Sequence, residues 1–260
     1  MRLAKPIRRS GSSGFTLIEV LITLLILSVI MGAVFDQIRV ASIRSTSEQQ
    51  KLDMFQEARE FVDQMGRDIR NAGFPNQHNF NATAAATAVT NAQGIMYVGP
   101  GDIWFQGDVD GTGTVSFVKY HLDTTNNANC PCLRRSVTSK ASWLSGAGDN
   151  YTVEVQGVQN PNTTSWVTAN PIFTYYYVDG TPLDLSGYAG NVIDGTAAAT
   201  PTADLQKLAQ IDRVKVQLSV ESKYADLQTG LTPIITLNST VMIYNCNQLA
   251  AGQAYSWACQ

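Results

Sequence analysis

The sequence predicts an α+β protein in which a long N-terminal helix, with a transmembrane first half, packs on an antiparallel β-sheet. Three features predict this fold: an apolar run near the N-terminus, a proline-free stretch after it, and a series of short strand patterns in the remainder. One helix followed by many strands is the order expected when helices are segregated on one face of an antiparallel sheet.

The apolar run covers residues 15–35 and contains one formal charge, Glu19. As a helix it would be roughly 31 Å long, which is enough to cross a bilayer. A carboxylate this deep in a membrane costs about 2.5–3.5 kcal/mol, so Glu19 is a functional-site candidate. The cations that precede the run predict a cytoplasmic N-terminus, with the chain after Phe35 on the far side of the membrane; they are Arg2, Lys5, Arg8 and Arg9.

The helix is predicted to continue through a polar stretch to Asn71. Residues 36–71 contain no proline and many good helix formers. Gly73 and Pro75 then end the helix. We expect the amphipathic second half to cover one face of the sheet, because apolar residues recur there at spacings of three and four: Leu52, Phe55, Ala58, Val62, Met65 and Ile69.

Strand patterns separated by turns follow this helix. The alternation of apolar and polar residues is clearest in residues 213–222 and predicts a half-buried antiparallel strand. Between the strands predicted over residues 172–178 and 213–222, residues 185–204 are predicted to form a loop, which is followed by a short helix over residues 205–209. The predicted strands are residues 94–98, 102–106, 114–122, 133–138, 151–158, 172–178, 213–222 and 234–244.

The junction before the apolar run is Gly14-Phe15-Thr16-Leu17-Ile18-Glu19, behind a short basic leader. This junction resembles the type III signal of prepilins residue for residue. The resemblance implies that a prepilin peptidase of the membrane cuts after Gly14 and methylates the new N-terminus on Phe15. It also implies that Phe15, Thr16 and Glu19 serve filament assembly.

The same resemblance implies a division of the chain into four segments. They are a leader peptide over residues 1–14, a transmembrane and filament-core helix over 15–35, an amphipathic second half over 36–73, and a β-rich periplasmic or extracellular domain over 74–260. The match is incomplete at Asp36, where many relatives have a proline, and this disfavours a kink there.

A physical role for Glu19 follows from cleavage, which would leave a cationic amine on Phe15. In a helical filament the Phe15 amine of one subunit can approach the Glu19 carboxylate of its neighbour. That pairing would remove two uncompensated charges from the apolar filament core and would fix the axial register.

Later segments of the chain resemble minor pilins of the PilW type: residues 68–74, residues 108–111, and two late strands ending in Tyr244-Asn245. The J-type pseudopilin of type II secretion has a similar plan. In such families minor pilins prime filament assembly, and the implied partners are other minor pilins, the major pilin and in some cases a tip adhesin. An alternative of another class is a membrane-anchored ligand-binding domain that does not polymerise.

The charge balance argues against a nucleic-acid partner. The net charge of the chain is −3, and loss of the four leader cations would take it to about −7, whereas nucleic-acid binders rely on basic patches. Arg134 and Arg135 are expected to lie on a solvated strand edge.

The four cysteines predict disulfides, because the domain is expected beyond the membrane. Cys246 and Cys259 close a short loop, and we favour a bond between them. Cys130 and Cys132 could form a local bridge or pair with the other two. A metal site at Cys130 and Cys132 is not expected, because further ligands at zinc-finger spacing are absent from the sequence.

Residues 108–113 look like the start of a calcium loop, with Asp108 and Asp110 at alternating positions and Gly113 sixth. The twelfth position should be a bidentate Glu, but Lys119 stands there. We therefore favour a hairpin turn. His121 is expected to be a satisfied strand residue. No pattern in the sequence predicts catalysis or a cofactor, so we expect a protein that is not an enzyme.

Overall fold

The computed structural model describes residues 14–75, 92, 94–125, 130–141, 146–160, 170–196, 203–226 and 229–244. The chain divides into two compact units, one up to Gln49 and one from Gln50 onward. Helix α1, Leu17–Arg70, passes through both units and begins and ends within two residues of the predicted bounds.

The first unit is helical and presents apolar side chains on all sides. Phe15, Leu17 and Ile18 are 67–80% exposed, and the large apolar residues through Phe35 are also exposed. The hydroxyls of Thr23 and Ser28 donate to the carbonyls of Val20 and Leu25, each at 2.8 Å. These two hydroxyl groups are therefore satisfied inside the helix, as a span in lipid requires. Among the described residues, α1 is the helix that is long and apolar enough to cross a membrane.

The second unit contains two antiparallel sheets that follow the helix. The predicted strands are all found, with ends that differ by up to two residues. A six-stranded sheet has the order β5-β4-β3-β2-β1-β7, and a three-stranded sheet has the order β6-β8-β9. The strands are β1 Gly94–Val98, β2 Asp102–Gly107, β3 Ser116–Asp123, β4 Cys132–Ser139, β5 Tyr151–Gln156, β6 Phe173–Tyr177, β7 Ile193–Asp194, β8 Ile211–Glu221 and β9 Ile234–Met242.

Two elements depart from the sequence prediction. The loop predicted over residues 185–204 contains a 3-10 turn, Ala189–Asn191, and the two-residue strand β7. Strand β7 is too short to show a period in sequence and is held by its pairing with Tyr97 and Val98 of β1. The short helix α2, Ala203–Ala209, begins two residues before its predicted start.

The segment after β5 joins the two sheets. Val158 bridges Val220 of β8, and the backbone N–H of Glu221 donates to the carbonyl of Gly157 at 2.8 Å. Gly157 has a φ of +68°, and a Cβ there would lie 2.6 Å from the Glu221 carbonyl oxygen. Glycine is needed at this junction because only a residue without a side chain allows both the conformation and the close approach.

The second half of α1 packs against the sheets, which confirms the predicted α+β architecture. One hydrophobic core contains helix residues together with side chains from both sheets. The predicted apolar face is correct from Ala58 to Ile69, but Leu52 and Phe55 are 58% and 38% exposed. The buried residues of the core cluster begin at Ala58, and the partly buried Met54 also packs against them, so Leu52 and Phe55 follow the sequence pattern but lie outside the buried face.

A buried ion pair holds the helix on the six-stranded sheet. Asp68 of α1 is 4% exposed. Its Oδ2 accepts from the Tyr120 hydroxyl at 2.6 Å and from the Arg135 Nε at 2.9 Å, and the Arg135 guanidinium also approaches through Nη2 at 2.8 Å. Burial, with the negative charge of Asp68, raises the pKa of Tyr120 well above its ordinary value, so the phenol stays protonated as a donor.

This ion pair corrects the expectation that Arg134 and Arg135 lie on a solvated edge. Strand β4 is an inner strand between β3 and β5. Arg134 pairs with Asp123 at 2.7 Å, and Arg135 pairs with Asp68. The sequence did not reveal this because the acid that binds Arg135 lies 67 residues away, on the helix.

We predict that Asp68→Ala destabilises the second unit by about 3–5 kcal/mol, because the Arg135 charge and the Tyr120 hydroxyl would stay buried without their acceptor. Urea unfolding followed by tryptophan fluorescence measures this loss. The control is Asp63→Ala, which breaks an exposed pair with Arg59 at 4.0 Å and should cost below about 0.5 kcal/mol. Equal losses for the two variants would contradict the anchoring role.

Candidate functional site

The first turn of α1 brings the predicted processing and assembly residues together. The carbonyl of Thr16 accepts from the backbone N–H groups of Glu19 at 3.1 Å and Val20 at 3.2 Å, which places Thr16 at the N-cap and Glu19 in the first turn. Thr16-Leu17-Ile18-Glu19 thus has the Ser/Thr-x-x-Glu spacing of a capping box, a signal that our sequence analysis missed. An acid in this turn also interacts favourably with the helix dipole.

Gly14 lies just before this turn, and no contact with the described residues requires a glycine there. A Cβ built on Gly14 meets no atom within 4 Å, and its φ is outside the left-handed region. Contacts with the described residues therefore do not explain the glycine in this position. A requirement for glycine would come from another molecule that has to approach the backbone closely.

The Glu19 carboxylate has no partner among the residues that the structure describes. Glu19 is exposed, and the described residues give its side chain neither a hydrogen bond nor an ion pair. Around it lie the exposed apolar side chains of Phe15, Leu17 and Ile18. The chain thus presents one unpaired acid on an apolar rod, close to the amine that cleavage after Gly14 would create.

Residues 9–35 match the model of the prokaryotic N-terminal methylation motif. The chain therefore carries the processing motif of type IV prepilin-like proteins. This motif implies processing by prepilin peptidase and assembly with other pilins, and the apolar helix that follows is consistent with membrane anchoring. The match covers about a tenth of the chain, and no curated protein matches the sequence.

The four cysteines that were predicted to form disulfides fall into two groups. Cys130 and Cys132 are joined by a disulfide at the start of β4. Of the two alternatives, the structure therefore shows the local bridge. With their sulfurs bonded to each other, they are not free thiolates for a metal, although Asp123 lies close to both. Cys246 and Cys259 lie outside the described residues, so the bond favoured between them stays a prediction.

The acids of the loop after β2 accept hydrogen bonds from the backbone of the same loop. Asp108 is buried, and its Oδ1 accepts from the N–H of Gly111 at 2.8 Å. Its Oδ2 accepts from the N–H of Gly113 at 2.9 Å. Gly111 and Gly113 have φ values of +72° and +81°, which suit a tight turn. Both oxygens of Asp108 therefore bind the backbone of the loop, as expected for the favoured hairpin turn.

We predict that about 10 mM calcium leaves the melting temperature of the protein unchanged within about 1 °C, although extracellular calcium sites bind in the 0.1–1 mM range. Asp108→Ala should cost about 1–3 kcal/mol, because the N–H groups that it accepts lose their partner. Asp110→Ala is the control, since Asp110 is exposed and its bonds go to Thr112. A calcium-dependent rise that Asp108→Ala abolishes would contradict the turn-only interpretation.

His121 forms a second titratable pair, with Asp102 of the neighbouring strand. His121 Nδ1 lies 2.5 Å from Asp102 Oδ1, across the register of β2 and β3. The hydrogen bond to Asp102 raises the pKa of His121, and the negative charges of Asp102 and Asp123 add to this effect. His121 is thus a satisfied strand residue, as the sequence analysis expected.

We predict a pH-dependent contribution of this pair to stability. Because the folded pKa of His121 lies above its ordinary value of 6.5, the stabilisation is complete below about pH 6.5 and disappears as the pH rises through the folded pKa. The difference in melting temperature between the native chain and His121→Gln should therefore shrink from pH 6 to pH 9. The pair is partly exposed, so the effect should stay below about 1 kcal/mol. Parallel pH profiles would contradict the prediction.

Proposed function

We propose that this chain is a minor pilin of a bacterial type IV pilus, of the PilW type, which helps to initiate or cap filament assembly. The observation that carries the proposal is the methylation motif over residues 9–35. It is supported by the exposed apolar half of α1, by a glycine at position 14 that no contact with the described residues requires, and by Glu19, which has no partner among those residues.

The first step of this function is hydrolysis of the Gly14–Phe15 peptide bond by a prepilin peptidase. Hydrolysis frees the leader and leaves a protonated amine on Phe15. Methylation of an amine keeps its positive charge, so the mature subunit retains a cation at the tip of an apolar helix. The chain is then held in the inner membrane by α1 until it enters the filament.

The second step transfers the helix from lipid to the filament core. The exposed apolar side chains of residues 15–35 remain in apolar surroundings, so this transfer costs little hydrophobic energy. Glu19 then meets the Phe15 amine of a neighbouring subunit. At about 4 Å and an effective dielectric constant of 20, such a pair attracts by about 4 kcal/mol, which offsets part of the cost of holding both charges there.

We predict that mass spectrometry of the protein from its native cells finds N-methylated phenylalanine, Phe15, as the first residue. Gly14→Val should accumulate with the leader attached, because a side chain there obstructs the peptidase. Gly32→Ala is the matched control: Gly32 also has no atom within 4 Å of an added Cβ, and this variant should be processed normally. A Gly14→Val protein that inserts and functions with its leader intact would instead indicate an anchored domain that does not polymerise.

Glu19→Ala separates assembly from processing. We expect this variant to be cut and methylated, but to fall at least tenfold in sheared extracellular filaments, since a loss of 1.4 kcal/mol already changes an equilibrium tenfold. Normal levels of the variant in filaments would refute the pairing of Glu19 with the amine. Co-purification with pilus components rather than type II secretion components distinguishes a minor pilin from a J-type pseudopilin.

A further inference from the structure

Strand β9 leaves one edge of the three-stranded sheet open. It pairs with β8 along all nine residues, without a register shift. It is the outermost strand in the order β6-β8-β9, and within the described parts of the chain no residue bonds to its other edge. An open strand edge presents unpaired N–H and C=O groups to solvent.

The hydrogen bonds at the two ends of β9 show which groups are unpaired. The N–H of Ser222 donates to the Pro233 carbonyl at 2.9 Å, and the N–H of Ile243 donates to the Asp212 carbonyl at 2.8 Å. Antiparallel pairs alternate between bonded and non-bonded residues, so the odd-numbered residues of β9 bond to β8. The even-numbered residues direct their N–H and C=O groups to the open edge: Ile234, Thr236, Asn238, Thr240 and Met242.

This edge lacks the features that protect other edge strands from pairing. Natural edges are blocked by charged side chains, proline, bulges or a short length. Strand β9 has no charge, no proline and no bulge over nine residues. Its even-numbered side chains are exposed, with Ile234 at 57% and Met242 at 44%. Such an edge is suited to an added strand, whose main chain supplies affinity through backbone hydrogen bonds.

The β9 edge lies beside an exposed apolar flank of α1. A Cβ on Gly66 would lie 3.5 Å from Val241 of β9, so this side of the helix faces the strand. Phe55 and Leu52 stand about three and four turns before Gly66 on the same side of α1, and they are 38% and 58% exposed. The open edge and this flank together offer a surface for a neighbour that lies next to the helix.

We propose that the β9 edge accepts an extended strand from a neighbouring prepilin-like subunit, while the neighbour also covers Leu52 and Phe55. This inference rests on the proposed function, because subunits that share a filament core stand side by side along their helices. Since the edge carries no charge, the added strand should be uncharged, with its N–H and C=O groups opposite the even-numbered residues of β9.

A second copy of this chain fits the edge less well. Antiparallel pairing of two β9 strands would relate the copies by a two-fold axis perpendicular to the sheet. Such an axis reverses every direction within the sheet plane, including that of the helix packed along the sheet. The two α1 helices would then point in opposite directions, whereas subunits of one membrane or filament need them to point the same way.

The test places the photo-reactive residue benzoylphenylalanine at Thr240 of the full chain in its native cells. The expected adduct joins this chain to a different polypeptide whose mature N-terminus is N-methylated. Asn238→Pro should lower the adduct at least tenfold. It removes an N–H that points to the open edge and that β8 does not use, so the melting temperature in detergent should change by less than about 3 °C.

Ser239→Pro is the matched control, because it removes an N–H that bonds to β8 and should lower the melting temperature strongly. The inference is overturned by the absence of an adduct, by an adduct that Asn238→Pro leaves unchanged, by an adduct of two copies, or by one within the chain to residues 245–260. A methylated chain without the adduct refutes only this inference, whereas a chain that keeps its leader refutes the proposed function.

Discussion

The apolar surface of the first half of α1 is the constraint on which the rest of this molecule depends. Residues 15–35 expose large apolar side chains in every direction, so water is an unfavourable environment for this part of the chain. Lipid and a bundle of similar helices both offer these side chains an apolar environment. A protein that moves between these two environments can keep one helical conformation, because its backbone and hydroxyl groups are already paired within the helix.

The second half of the same helix has a different requirement. From Ala58 onward one face is buried against the two sheets, and Asp68 fixes that face to β4 through Arg135. Helix packing alone would tolerate small rotations and shifts, since hydrophobic contacts are not directional. A buried carboxylate with three donors is directional, so it selects one register of the helix on the sheet. We infer that the ion pair contributes more to the specificity of the helix register than to net stability, because desolvation offsets much of its attraction.

The sequence predicted those features that repeat with a period. The apolar run, the amphipathic spacing from Ala58 to Ile69 and the alternation in β8 each follow from the geometry of one element, so they could be read without tertiary information. Strand β7 has no period because it has two residues, and the pairing of Arg135 with Asp68 joins distant positions. Asp68 nevertheless carried a signal: it lies three residues after Met65 and seven after Phe61, which places an acid on the core-facing side of the helix.

The candidate site was also predicted in part, for a related reason. The Gly14-to-Glu19 junction is local in sequence, and one turn of helix is enough to bring Phe15, Thr16 and Glu19 together. The open edge of β9 was not predicted, although the strand itself was, because an edge is a property of the sheet order. Nothing within residues 234–244 indicates that β8 lies on one side and no described strand on the other.

Two of the acids on α1, Asp68 and Glu19, differ in whether the described residues give them a partner. Asp68 lies on the buried face of α1 and Glu19 in its exposed apolar half, and both would be costly if left unpaired in a dry environment. Asp68 accepts hydrogen bonds from the Tyr120 hydroxyl and the Arg135 guanidinium of its own chain, so its charge has a structural role. Glu19 receives nothing from the described residues of its own chain. In the function proposed above, the amine that cleavage would create on Phe15 of a neighbouring subunit has the opposite charge, so pairing between two subunits would compensate both charges at once.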